Sequence, residues 1–144
     1  EIMAMVKEDI LTKGVDSRHG SEAAVEAAIA LNKEFGSVVS ISGEIDRIVT
    51  GDRIITISNG DPMMPQVTGL GCTASALTGA FIAVDASPFE GAVAAMAVMG
   101  IAGEMAAAKA GGPGSFQVEF LDALYRIGEH EVRRRLKMTQ ESIG

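Results

Sequence analysis

Apolar residues along this chain shift between a helical and a strand-like rhythm. From Ser21 to Phe35 the spacing of Ala24, Ala28, Leu31 and Phe35 marks one helix face, and Glu22, Glu26, Lys33 and Glu34 take the opposite side. Ser21 suits the N-cap of that helix and Gly36 its stop. Glu1–Val6 reads as the end of an earlier helix, and Lys7–Gly20 as a polar loop. Ser37–Ser42 is a short β-rich run bounded by glycines and predicts a strand. Glu44–Thr50 and Arg53–Ser58 flank Gly51-Asp52, the arrangement of a hairpin. The helical rhythm returns from about Cys72 to Val84. Ser87-Pro88-Phe89-Glu90 then combines a capping box with proline at the first helical position, and opens a long helix to about Ala110. Gly111-Gly112-Pro113-Gly114 breaks it, and Phe116, Phe120, Leu124 and Ile127 mark a C-terminal helix. The whole reads as one α/β domain over residues 1–144, with no repeat and no dividing linker.

Composition narrows the function classes. Apolar residues make up 47 % and charged residues 22 %, the balance of a globular chain long enough to bury a real core. A formal charge of −7 argues against nucleic acid as the main partner. The single cysteine excludes an internal disulfide framework and fits a reducing, cytoplasmic setting. The longest apolar stretch, Gly91–Gly103, falls short of the roughly 20 residues that a bilayer span needs. The chain starts at Glu1, inside what reads as a helix, without an initiator Met or an entry cap. The expectation is that an N-terminal portion is absent.

Candidate chemistry concentrates in Val67-Thr68-Gly69-Leu70-Gly71-Cys72-Thr73, a Gly-x-Gly turn running into a helix of small and apolar residues. Glycines at 69 and 71 let the backbone come close to a ligand and adopt strained dihedrals. The first N–H groups of a helix lack intrahelical partners, and the helix dipole adds positive potential there. Such a turn can hold a phosphoryl group or another developing negative charge. Ligands of open α/β sheets bind beyond the carboxyl ends of strands, so a central strand ending at Ser42-Gly43 places that crevice beside the turn.

Five blocks, in this order, resemble the hydroxyethylthiazole kinase family: Ser42-Gly43-Glu44-Ile45-Asp46, Asn59-Gly60-Asp61-Pro62, Thr68-Gly69-Leu70-Gly71-Cys72, Gly112-Pro113-Gly114-Ser115-Phe116 and Phe120-Leu121-Asp122-Ala123-Leu124-Tyr125. Each block alone is unspecific; the ordered set is not. The match covers nearly the whole chain but only the C-terminal half, or slightly more, of the family's length. The resemblance implies a ribokinase-like, three-layer α/β fold, here its C-terminal part. It also implies phosphorylation of the hydroxyl of 4-methyl-5-(2-hydroxyethyl)thiazole by ATP with Mg2+, in thiamine biosynthesis and salvage. A homotrimer with active sites between subunits follows from the same resemblance.

The family pattern carries over residue by residue. Related sugar kinases place an aspartate base after the Gly-x-Gly; the thiazole kinases have cysteine, and this chain has Cys72. A cysteine at a helix N-terminus reaches its thiolate more readily, and a base there can take the alcohol proton as the hydroxyl attacks the γ-phosphorus. The backbone N–H groups of Gly69 to Cys72, Gly71 included, would stabilise charge on the transferring group. Ser42 falls where the family has a threonine or serine on the ATP phosphates, and Gly69 where a glycine approaches the thiazole. Glu1 matches the last residue of an Asn-x-x-Glu motif that organises Mg2+ and its waters. The asparagine, the ATP-contacting basic residue and the N-terminal substrate pocket have no counterpart in this sequence.

Blander readings stand beside these. Cys72 also suits a small cysteine that only packs, and Ser42 a serine that closes a strand. Gly112-Pro113-Gly114 fits a helix-breaking turn, and Glu104 a paired or interfacial carboxylate. Arg133, Arg134, Arg135 and Lys137 fit a solvated helix face. The methionines fit core or pocket filler, and His19 and His130 lack metal-ligand spacing. Two rival functions remain: a kinase for the pyrimidine half of thiamine or another small alcohol, and a non-catalytic nucleotide-binding or structural subunit. Cysteine rather than aspartate at 72, with the Gly-Pro-Gly-Ser-Phe block, speaks against the first.

Overall fold

The computed structural model describes residues 2–6, 17–51 and 53–142. Helices α1 (Ile2–Val6) and α2 (Ser17–Phe35) precede strands β1 (Val39–Ile41), β2 (Asp46–Thr50) and β3 (Arg53–Ile57). A 3-10 turn at Met64–Gln66 leads to α3 (Leu70–Val84), α4 (Pro88–Ala107), α5 (Pro113–Arg126), α6 (Glu129–Arg135) and β4 (Met138–Ser142). All neighbours in the four-stranded sheet, order β1-β2-β3-β4, are antiparallel.

The sheet is covered on both faces, so its two inner strands are buried on consecutive residues instead of alternating. Val39, Val49 and Ile54 pack with Ala28 and Leu31 of α2. Ile48, Ile55 and Ile57 pack with Phe89, Ala92, Val93, Met96 and Ala97 of α4. Beyond α4 a further cluster joins Met99, Ala102 and Ala106 to Phe116, Phe120 and Ala123 of α5, with Val67 and Leu70 at the entry to α3. Helix, sheet and helix thus form the three layers that the sequence predicts. The rings of Phe116 and Phe120 stack at 6.1 Å between centroids.

Helix α4 starts as its sequence dictates. Ser87 is the N-cap, its hydroxyl accepts the Glu90 N–H at 3.3 Å, and Pro88 opens the first turn. By length and apolarity alone α4 could cross a membrane, but 72 % of its apolar window is buried inside this fold, and it is the core helix. Its small residues serve contacts within the chain: a Cβ on Gly91 would lie 3.1 Å from the Ile82 backbone of α3, and one on Gly100 would lie 2.6 Å from the Asn59 carbonyl oxygen. The Gly91–Gly103 stretch therefore packs on its own chain, which accounts for its composition without a neighbouring subunit.

Several sequence readings change. Helix α2 begins at Ser17, not Ser21; it absorbs Gly20, at a cost of about 1 kcal/mol for glycine inside a helix. The rest of the expected loop, and Asp52 of the hairpin, lie outside the described residues, while β2 and β3 pair in register with Thr50 opposite Arg53. Phe35, expected on the packed face of α2, is 68 % exposed because it ends the helix where the chain turns at Gly36 (φ 66°). Strand β1, expected to be central, has β2 as its one partner among the described residues. The solvated helix face expected at Arg133–Arg135 belongs to α6, while Lys137 lies beyond it; strand β4 was not anticipated.

Candidate active site

The Gly-x-Gly turn forms the N-terminus of α3. Gly69 is the N-cap in left-handed conformation, φ 96° and ψ −9°, which favours glycine at that position. The first ladder bond is Thr73 N–H to Gly69 C=O at 3.0 Å. Leu70, Gly71 and Cys72 therefore occupy the first turn, where N–H groups have no acceptor inside the helix. The helix starts two residues before the expected Cys72, which brings the thiol inside this turn. Gly71 is exposed, and among the described residues no atom beyond its chain neighbours and its own helix backbone lies within 4 Å of where its Cβ would stand. Cys72 is exposed as well. One side of the turn is anchored, because Leu70 is buried against α4 and α5 together with Val67. The other side presents N–H groups, space and a sulfur.

That arrangement fits the phosphates of a nucleotide. Unpartnered N–H groups accept an anion, the missing Cβ atoms leave room for close approach, and Cys72 stands in the same turn as the donors.

Ser42 directly follows β1 and is exposed. Ile41 pairs with Arg47, and Asp46 with Ile57, so the end of β1, the start of β2 and the end of β3 share one edge of the sheet. The chain leaves β3 from that edge toward the turn at Gly69. Ser42 and the turn thus stand on segments that leave the sheet at the same end. After Ser42 the backbone bends, and the Gly43 N–H donates to Asp46 Oδ1 at 2.9 Å. Asp46 is 8 % exposed. Burial pushes its carboxyl up to about 6, against the opposing pull of the Gly43 N–H. Asp46 stands in the first of the ordered blocks, and its carboxylate reaches back three residues to a backbone N–H, as the acidic member of a capping box does.

The Gly-Pro-Gly segment takes its blander reading. Pro113 opens α5, and the Ser115 hydroxyl accepts the Gly111 N–H at 3.0 Å and donates to Gly112 C=O at 3.1 Å. Glu104 is paired: its Oε1 accepts from Lys137 Nζ at 2.9 Å, Asn59 Nδ2 at 3.0 Å and Gly60 N–H at 3.4 Å. Glu1 lies outside the described residues. Among the described residues no group of three or more His, Cys, Asp or Glu is arranged to hold a metal ion.

The model of the hydroxyethylthiazole kinase family matches residues 1–130. The chain belongs to that family. A hydroxyethylthiazole kinase of Leptospira biflexa is 54 % identical over 136 residues, covering 94 % of this chain and 51 % of the relative. Another, from Syntrophus aciditrophicus, is 55 % identical over 139 residues, covering 96 % and 52 %. The solved hydroxyethylthiazole kinase of Pyrococcus horikoshii superposes with a TM-score of 0.80 at 37 % identity, over 85 % of this chain and 48 % of that one. The chain spans about half the length of the curated relatives it matches. The chain thus shares the fold of that solved structure, the ribokinase-like α/β fold that the ordered blocks predict.

Proposed function

We propose that the protein transfers the γ-phosphoryl group of ATP to the hydroxyl of 4-methyl-5-(2-hydroxyethyl)thiazole, a step of thiamine biosynthesis or salvage. The observation that carries this reading is the left-handed Gly69 opening α3, with three free N–H positions and an exposed Cys72 in one turn. In this reading Cys72, as thiolate, takes the alcohol proton while the alcohol oxygen bonds to the γ-phosphorus. The bond from that phosphorus to the β,γ-bridging oxygen breaks, ADP leaves, and Cys72 is left as the thiol. The N–H groups of Leu70, Gly71 and Cys72 stabilise charge on the equatorial oxygens. Gly69 faces the thiazole, and the Ser42 hydroxyl donates to a more distant phosphate.

Mg2+ would neutralise charge on the phosphates; Glu1 is its proposed contact, through water. A cytoplasmic setting suits a free exposed thiol and a reaction that consumes ATP. A homotrimer with sites between subunits is part of the proposal. Its support is the exposed Val118, Leu121 and Tyr125, which fall along one side of α5. A coupled ADP-release assay on the complete protein tests the substrate: turnover should respond to the thiazole alcohol and hardly to the hydroxymethylpyrimidine alcohol, and the opposite preference sinks the proposal.

A further inference from the structure

The connection from β3 to α3 has no regular structure except the 3-10 turn at Met64–Gln66, yet it delivers the Gly69 turn to its place. One face of α4 holds it. Gly100, Gly103 and Glu104 share that face, being three and four residues apart. A Cβ on Gly100 would meet the Asn59 carbonyl oxygen at 2.6 Å and the Asn59 carbonyl carbon at 2.8 Å, so backbone lies directly on helix. A Cβ on Gly103 would run into Met64 Sδ. One turn beyond Gly100, Glu104 Oε1 accepts from Asn59 Nδ2, the Gly60 N–H and Lys137 Nζ.

Asn59 is 4 % exposed and uses both ends of its amide. Nδ2 also donates to Arg135 C=O at 2.8 Å, and Oδ1 accepts the Lys137 N–H at 2.8 Å. Further along, Met63, Met64, Val67 and Leu70 sink into the cluster of Met99, Ala102, Ala106, Phe116 and Phe120. Burial by itself would raise the Glu104 carboxyl; hydrogen bonds from Lys137, Asn59 and Gly60 outweigh it and hold the group below the ordinary carboxylate range.

We infer that the Gly100–Glu104 face of α4 is the seat of the phosphoryl-transfer turn, and that Glu104, acting through Asn59 and Gly60, is a positioning residue for the reaction. The inference rests on reading Gly69–Cys72 as the site of transfer. A displacement of about 1 Å can cost on the order of 10²-fold in rate, so a connection without a ladder of its own needs such a seat.

The test uses the complete protein. Glu104→Ala should lower kcat by about 10–10²-fold with little change in KM for the alcohol, and shift the amide resonances of Gly69 and Gly71. Glu104→Gln, which keeps an oxygen for Asn59 and Gly60, should restore kcat to within a few-fold. Ser87→Ala, which loosens α4 at its far end, should lower Tm and leave kcat and both resonances unchanged. If Glu104→Ala does not fold, Gly103→Ala carries the test, because its methyl must push Met64 aside; the same resonances should shift and kcat should fall. Folded variants with unmoved Gly69 and Gly71 resonances and wild-type kcat overturn the inference. A wild-type protein without thiazole turnover, but whose resonances move as stated, overturns the kinase reading and leaves the seat standing.

Discussion

The chemistry proposed for this protein depends on a few atoms, and Cys72 is the first to test. Cys72→Ala should lower kcat by roughly 10²–10⁴-fold, the span of one general acid–base group. KM for ATP should change little, because the backbone N–H groups survive the substitution. Cys72→Asp should retain activity, since a carboxylate there restores the pattern of the related sugar kinases. If the thiol only packs, Ala leaves kcat intact; steady-state kinetics with melting curves separate the two. Asp46 predicts a pH effect. Its carboxyl lies near 6 in the fold against 3.8 ordinarily, so its contribution to stability is full below about 3.8 and is lost as pH rises through 6. Asp46→Asn keeps an acceptor for the Gly43 N–H and cannot ionise. Its gain in Tm over the wild type should therefore be larger at pH 8 than at pH 4.5; an equal difference at both values would show that burial does not burden the charged form. That the Gly69–Gly71 turn opens a helix carrying Cys72 was legible in sequence, because the glycines run into a stretch of small and apolar residues. Glu104 was legible as a paired carboxylate but its partners were not: an asparagine before a glycine reads as a turn, and only the fold puts Asn59 and Gly60 opposite Glu104.

At the scale of elements, legibility followed the strength of local signals. Ser87-Pro88-Phe89-Glu90 fixed the start of α4 to the residue, because cap, proline and acidic third position act together. Ser87→Ala should cost about 1 kcal/mol, measured by denaturant unfolding. The stacked Phe116 and Phe120 tie α5 to α4 with almost no exposure, and replacing either with Ala should cost about 3–5 kcal/mol. Helix α6 showed in sequence only as the solvated face of its basic end, and strand β4 escaped notice. The stretch Glu129–Arg135 has no apolar stripe and is held by pairs such as Glu129–Arg133 at 2.6 Å and Glu131–Arg135 at 2.7 Å. The stretch Met138–Ser142 is polar and becomes a strand by pairing with the edge of β3, where the hydroxyls of Thr56 and Thr139 meet.

At the scale of the molecule, the layers followed from the family resemblance; in the fold, α2 and α4 cover the two faces of β2 and β3. What covers the outer side of α5 is a question of assembly. The trimer predicts a light-scattering mass of three protomers at micromolar concentration, and a monomeric mass would count against intersubunit sites. Function belongs to this scale too, since in the proposed reaction the turn provides the transfer chemistry while the alcohol is held beside it. ADP release alone does not separate transfer to an alcohol from transfer to water. Phosphorus NMR of the complete protein with ATP and the thiazole alcohol does: the account predicts one phosphomonoester of the alcohol for each ADP formed, and ADP accompanied by inorganic phosphate alone, with the alcohol unchanged, would contradict it.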